Sequence, residues 1–112
     1  MFEILEELNK TQGITGSMIV GSDGIVIAAD LHPELQDDTL GAMASSIVST
    51  VRKTLEKMNQ APLRQITVEA NQGKLFLTDV EIGTLVVTTA PAVNLGLVRL
   101  EIKNAASRLK KR

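Results

Sequence analysis

The sequence predicts an α+β domain in which helices pack against a β-sheet, and three observations indicate this class. Two apolar segments flank the Asp23-Gly24 dipeptide, a pattern typical of a β-hairpin. A long segment after them has apolar residues at steps of three and four, which predicts a helix with one buried face. Three more β-favouring segments follow, separated by short breaks that contain glycine, and they predict an antiparallel meander. No repeat or linker interrupts the 112 residues, so a single domain is expected.

The N-terminal part of the chain predicts a short helix followed by the hairpin. Residues 1–10 carry apolar side chains at helical spacing and acidic side chains near the start, so they predict an amphipathic helix that ends before Gly13. The hairpin strands are expected at about Ser17–Val20 and Ile25–Ala29. Neither strand alternates between apolar and polar residues. Both faces of the sheet are therefore expected to be covered.

The longest helix is expected at about Asp38–Asn59, after a loop that contains Pro33. Asp37 or Asp38 is expected to supply its N-cap, and Pro62 prevents the helix from continuing. Its apolar residues form a continuous stripe, which comprises Leu40, Met43, Ala44, Ile47, Val48, Val51, Leu55 and Met58.

The remaining elements are three strands and a last helix. The strands are expected at Gln65–Ala70, Lys74–Asp79 and Thr84–Thr89, because the breaks between them are short and contain glycine. The last helix is expected at about Leu95–Lys110, with Asn94 as its N-cap.

Charge and composition argue against several classes of partner. Twelve Lys and Arg residues against 13 Asp and Glu residues give a net charge of -1, so nothing favours binding to nucleic acid. No apolar stretch approaches the ~20 residues that span a bilayer, and membrane insertion is not expected. The acidic N-terminus does not resemble a secretory signal, and the chain has no cysteine. Both features predict a cytoplasmic protein.

The residues suited to catalysis do not form a recognisable site, so an enzyme is not expected, and neither is a cofactor or a metal. His32 is the only imidazole and lies beside Pro33, which indicates an exposed loop residue. Asp37 and Asp38 are explained by their place at a helix start. The glycines of Gly13–Gly16 precede a strand instead of leading from a strand into a helix, so they do not match nucleotide-binding loops.

Two features indicate a surface for association. The long helix has small residues beside its apolar stripe, among them Gly41 and Ala44, and these allow a close approach by another element. That element is either the chain's own sheet, which needs a helical cover, or a partner. The segment Arg64–Ala70 follows the long helix and pairs in sequence only with the next strand, so it is expected at a sheet edge. A twofold partner that continues the sheet would satisfy this edge, and a homodimer is the favoured interpretation.

Two segments resemble a known family. The first is Gly13-Ile-Thr-Gly-Ser-Met-Ile-Val-Gly-Ser-Asp-Gly-Ile-Val-Ile-Ala, and the second is Asn94-Leu-Gly-Leu-Val-Arg-Leu-Glu-Ile-Lys-Asn-Ala-Ala. In this order, on either side of a long helix and a meander, they resemble the dynein light-chain roadblock superfamily over essentially the whole chain. The resemblance implies a roadblock-type, profilin-like fold of order α-β-β-α-β-β-β-α. Its five-stranded antiparallel sheet would carry the first and last helices on one face and the middle helix on the other.

The resemblance also implies dimers, in which the middle helices of two copies meet and the sheets join through the third strand. The residues that would form this interface are Leu40, Gly41, Ala44, Ile47, Val48, Val51, Ile66, Val68 and Ala70.

The function that the resemblance implies is a non-catalytic, homodimeric scaffold or regulator of a small Ras-like GTPase, which it would activate or localise. The implied GTPase-binding residues are Ser49, Arg52, Lys53, Glu56 and Arg64. Two alternatives stay open. One is a structural adaptor of a larger motor or signalling complex, whose binding would ignore the nucleotide state of any GTPase. The other is a sensor that holds a small molecule between the layers of the fold.

Overall fold

The computed structural model describes residues 1–109 and contains the predicted order of elements. These elements are α1 (Phe2–Asn9), β1 (Ile14–Val20), β2 (Val26–Asp30), α2 (Asp37–Lys57), β3 (Gln65–Ala70), β4 (Gly73–Val80), β5 (Gly83–Thr89) and α3 (Leu95–Arg108). Helix α2 ends two residues before the predicted Asn59, because Asn59 adopts a left-handed backbone with φ of 60°. The predicted end of the last helix, Lys110, lies outside the described residues.

The five strands form one antiparallel sheet in the order β2-β1-β5-β4-β3. Strands β2 and β3 are therefore its two edges, which confirms the predicted edge position of β3. The edges differ in regularity. On β1, Ile19 faces Ala28 and Val20 faces Val26, so Ile27 is an extra, bulged residue on β2. Strand β3 pairs with β4 without any register shift. A bulge discourages a further strand from pairing, whereas a regular edge leaves that pairing available.

Both faces of the sheet are covered by helices, as the lack of alternation in the first two strands predicts. One face carries α1 and α3, and the other carries α2. Successive residues of β1 point into different cores, because side chains alternate across a strand. Ile19 packs under α1 and α3, while Met18 and Val20 pack under α2.

The predicted helix caps have different outcomes. The backbone N–H of Leu97 donates to the side-chain Oδ1 of Asn94 over 3.0 Å, which confirms the predicted cap of α3. The N-cap prediction for α2 is wrong, because the helix already begins at Asp37 and its N-cap is Gln36, which makes no side-chain capping bond. Asp37 and Asp38 instead lie in the first helical turn, where their charges face the positive end of the helix dipole.

Candidate interaction surface

The inner side of α2 packs against the sheet of its own chain. Gly41, Ala44 and Val48 are buried there. A Cβ added to Gly41 would lie only 2.6 Å from Cγ2 of Val26, so the helix approaches β2 closely at this point. This corrects the predicted interface. Gly41, Ala44 and Val48 are already covered within the chain, because the helix uses its small residues to reach its own sheet.

The outer side of α2 keeps an exposed apolar stripe. Ile47 is 40% exposed and Met43 is 57% exposed, and both lie on the helix between the half-buried Leu40 and Val51. These four residues follow each other at steps of three and four, so they share one side of the helix. Met43 belongs to the predicted apolar stripe but not to the predicted interface. Its spacing of four residues from Ile47 is the sequence signal that indicates the same exposed side of the helix.

Strand β3 adds further apolar surface on the α2 side of the sheet. Ile66 faces the buried Leu77 on β4 and packs against the core under α2, and Val68 faces Leu75. Ile66 is half-buried, but Val68 is 41% exposed and Ala70 is exposed as well. The three predicted interface residues of β3 therefore lie on one face of the strand, and the two nearer its C-terminal end are exposed.

The backbone of β3 leaves a row of hydrogen-bonding groups at the open edge. The N–H of Asp79 donates to the carbonyl of Arg64 over 2.9 Å, and this pair sets the phase of the β3–β4 ladder. Since neighbouring residues on a strand point their backbone groups to opposite sides, every second residue after Arg64 bonds to β4. The N–H and C=O groups of Gln65, Thr67 and Glu69 consequently face the edge, where the described residues place no further strand.

The predicted GTPase-binding residues fall into two groups. Ser49 and Arg52 lie on the side of α2 that borders a cavity at the end of the sheet. Arg52 donates from Nη2 to Oδ1 of Asp79 over 3.0 Å. The same Asp79 bonds to the backbone of Arg64, so the structure brings Arg52 and Arg64 to one position on β4.

Lys53 and Glu56 form the second group of predicted GTPase-binding residues. Both are exposed on α2, and neither borders the cavity. The structure therefore supports Arg52 and Arg64 as neighbours. It leaves Lys53 and Glu56 as exposed charges on the same helix.

The cavity has a volume of about 720 Å³ and extends around the end of the sheet from α2 to α3. Its remaining walls are the β1–β2 and β4–β5 turns. The β4–β5 turn is followed by Gly83, the first residue of β5, whose φ is +151°. A Cβ atom at this position would collide with the carbonyl oxygen of Val20. Only glycine fits this close contact between the two turns.

The remaining candidates for chemistry are His32 and the acidic side chains of residues 1–109. His32 is exposed, and its Nδ1 accepts a hydrogen bond from the backbone N–H of Glu34 over 3.2 Å. Within residues 1–109, no group of three or more His, Asp or Glu side chains is placed to hold a metal ion. In the same part of the chain, each helix is too short or too polar to cross a membrane.

Together, the sheet covered on both faces and its open, regular edge at β3 define a small α+β domain with five antiparallel strands. A family model confirms this class more specifically. The Roadblock/LC7 domain model matches residues 2–90, and the chain belongs to the Roadblock/LC7 family. The predicted resemblance to the roadblock superfamily is thus confirmed.

A relative with a similar sequence comes from an archaeon. The chain is 43% identical over 107 residues to the uncharacterized protein MJ0310 of Methanocaldococcus jannaschii, and the match covers 96% of this chain and 94% of that protein.

Solved structures agree with the fold at lower sequence identity. Myxococcus xanthus MglB superposes with a TM-score of 0.92 at 22% identity, covering 96% of this chain and 89% of MglB. A structure described as MglB with tetrameric arrangement gives a TM-score of 0.84 at 22% identity, covering 96% and 82%. Profilin II of Acanthamoeba castellanii gives 0.61 at 16% identity, covering 89% and 87%. The roadblock-type, profilin-like fold is therefore confirmed.

Proposed function

We propose that this protein is a non-catalytic, homodimeric scaffold that binds and regulates a small Ras-like GTPase. The observation that carries the proposal is the open edge of β3 together with the exposed stripe of α2, in a chain of the Roadblock/LC7 family. The Ras-like partner is what the resemblance to the roadblock superfamily implies. The lack of cysteine among 112 residues fits a reducing compartment, and we place the scaffold in the cytoplasm.

Self-association is supported by the physical state of the edge. Backbone N–H and C=O groups at an open edge pair readily with another strand, and natural sheets usually protect them. Strand β2 is interrupted by a bulge, whereas β3 pairs with β4 without a register shift and keeps a regular edge. A second copy placed on β3 would continue the sheet and would cover Val68 and Ile47 at the same time. The tetrameric arrangement described for MglB is consistent with self-association in this fold.

The arrangement of Arg52 favours docking over direct participation in GTP hydrolysis. An arginine inserted beside the transferred phosphate accelerates hydrolysis by roughly 10³ to 10⁵. To reach a nucleotide, Arg52 would have to leave its 3.0 Å ion pair with Asp79. A scaffold that holds the GTPase's own switch loops in place needs no such release. We therefore assign Ser49, Arg52 and Arg64 to the docking surface.

A direct test measures binding of the purified chain to the Ras-like GTPase encoded nearest to its gene, loaded with GDP or with a non-hydrolysable GTP analogue. We expect capture of one nucleotide state in preference to the other, together with a changed rate of GTP hydrolysis. Arg64→Glu should weaken capture, because it reverses an exposed charge on the assigned docking surface. Lys10→Glu is the matched control, since Lys10 is also exposed but follows α1.

The outcomes separate the proposal from its alternative. Absence of both capture and any rate effect rejects this GTPase as the partner. Equal capture of the GDP and GTP forms would instead indicate a structural adaptor that ignores the nucleotide. A monomeric mass in light scattering at micromolar concentration would overturn the homodimer.

A further inference from the structure

The cavity at the end of the sheet is lined by a hydroxyl group that makes no hydrogen bond within the fold. Thr84 lies at the start of β5, lines the cavity and is 7% exposed. Its side chain has no hydrogen-bond partner among residues 1–109. Since no fully buried side-chain atom in that range lacks a partner, the Thr84 oxygen must retain access to the cavity. A hydroxyl in this position is available to a ligand.

Helix α2 presents further donors along one side of the same cavity. Ser45, Ser49 and Arg52 are spaced at i, i+4 and i+7, so they lie above one another on the helix and all three line the cavity. The β1–β2 turn contributes Ser22. With Thr84, these residues bring hydroxyl and guanidinium donors from a helix, a turn and a strand into one space.

Two cations, Arg52 and Lys103, and two carboxylates, Asp79 and Glu81, line the cavity, and both cations keep N–H donors that the fold does not use. Asp79 accepts a single bond from Arg52, and a guanidinium has five N–H donors, so Arg52 keeps donors for a second acceptor. Lys103 on α3 lines the far end of the cavity and forms no ion pair within the described part of the chain. Glu81, the second carboxylate, is exposed on the β4–β5 turn and is engaged in an interaction of its own.

We propose that this cavity is a binding site for a phosphate-class oxyanion, with Arg52, Ser49 and Thr84 as its principal ligands and Asp79 as the residue that positions Arg52. A tetrahedral oxyanion accepts hydrogen bonds from several directions, which matches donors on a helix, a turn and a strand better than a planar carboxylate does. The 720 Å³ volume also falls in the range of small-molecule sites and leaves room for the rest of a phosphate ester. The site goes beyond the proposed scaffold function, shares Ser49 and Arg52 with the assigned docking surface, and does not depend on dimerisation.

The experiment is an NMR titration of the ¹⁵N-labelled full chain with inorganic phosphate at constant ionic strength. A parallel titration with acetate tests whether a planar carboxylate binds equally well. We expect saturable shifts of the amides of Ser49, Arg52 and Thr84 with phosphate and much weaker effects with acetate. Thr84→Val keeps the shape of the side chain and removes its hydroxyl, and it should weaken phosphate binding about tenfold, as expected for a lost hydrogen bond to a charged group.

Two further variants keep the test decisive if Thr84→Val folds poorly. Ser49→Ala should also weaken phosphate binding, because it removes a hydroxyl from the exposed wall. Ser46→Ala is the matched control, since Ser46 is an exposed serine of α2 that does not line the cavity, and its affinity should be unchanged. Shifts that do not saturate, equal effects of acetate, or equal affinities of Ser49→Ala and Ser46→Ala would each overturn the proposal. None of these outcomes alters the result of the GTPase capture experiment.

Discussion

The free edge of β3 allows the register of the proposed dimer to be worked out before any partner is seen. The edge groups belong to Gln65, Thr67 and Glu69, and residues that exchange hydrogen bonds across a twofold axis must come from this set. If Thr67 faces Thr67 of the second copy, then Gln65 faces Glu69 on both sides. This register uses every free group at the edge. Ile66 and Val68 of opposite copies then face each other on the side of the sheet that carries α2.

The energy of the ladder favours this register over its neighbours. Three facing pairs exchange about six hydrogen bonds, worth on the order of 6 kcal/mol before the cost of association is subtracted. Moving one strand by two residues leaves two facing pairs and about four bonds. The difference of roughly 2 kcal/mol corresponds to about a 30-fold preference for the Thr67-centred register over the shifted one. Thr67 is therefore expected to lie on the twofold axis.

Replacing Thr67 by cysteine tests this arrangement, because the natural chain has no cysteine that would compete. Facing residues of a hydrogen-bonded pair have Cα atoms about 5.5 Å apart, which a disulfide can span. Thr67→Cys should cross-link to its own copy under mild oxidation, visible as a dimer in non-reducing electrophoresis. Gln65→Cys is the matched control. In this register the two copies of residue 65 are offset by four residues, or about 14 Å, and they should not cross-link.

A mixture of Gln65→Cys and Glu69→Cys should cross-link only as the mixed pair, since these positions face each other. If Thr67→Cys forms a dimer in light scattering but does not cross-link while Gln65→Cys alone does, the register is refuted. A dimer that cross-links at none of these positions would place the interface away from β3. A monomer would reject the dimer itself.

The other predictions concern stability, measured by urea unfolding. Asn9→Ala should cost about 1–3 kcal/mol, because Oδ1 of Asn9 accepts a 2.8 Å bond from the hydroxyl of Ser17, which is 0% exposed and would lose its partner. Gly41→Ala should cost about 1–3 kcal/mol through the 2.6 Å contact with Val26, and an unchanged midpoint would contradict the close packing of α2 on β2. Asn94→Ala should cost about 0.5–2 kcal/mol by removing the cap of α3, whereas Asn94→Ser should recover most of that loss.

The candidate surface was only partly predictable from the sequence. The exposed stripe of α2 includes Ile47, which was predicted, and Met43, which was counted only as part of the helix stripe. The family resemblance implied that Gly41 and Ala44 lie in the interface. Small residues do permit a close approach, but the sequence does not say which element makes that approach. The buried donor at Thr84 was not predicted at all, because a threonine at the start of a strand resembles any other β-favouring residue.

Local patterns in the sequence were sufficient to predict the order of the eight elements, the helical cover on both faces of the sheet and the edge position of β3. These features depend on residue periodicity and on neighbouring segments, which a sequence displays directly. The three-dimensional structure alone revealed which side of α2 is occupied, which backbone groups of β3 remain free and which donors share a cavity. Such facts depend on contacts between residues far apart in the chain. The spacing of residues within one segment therefore cannot predict these contacts.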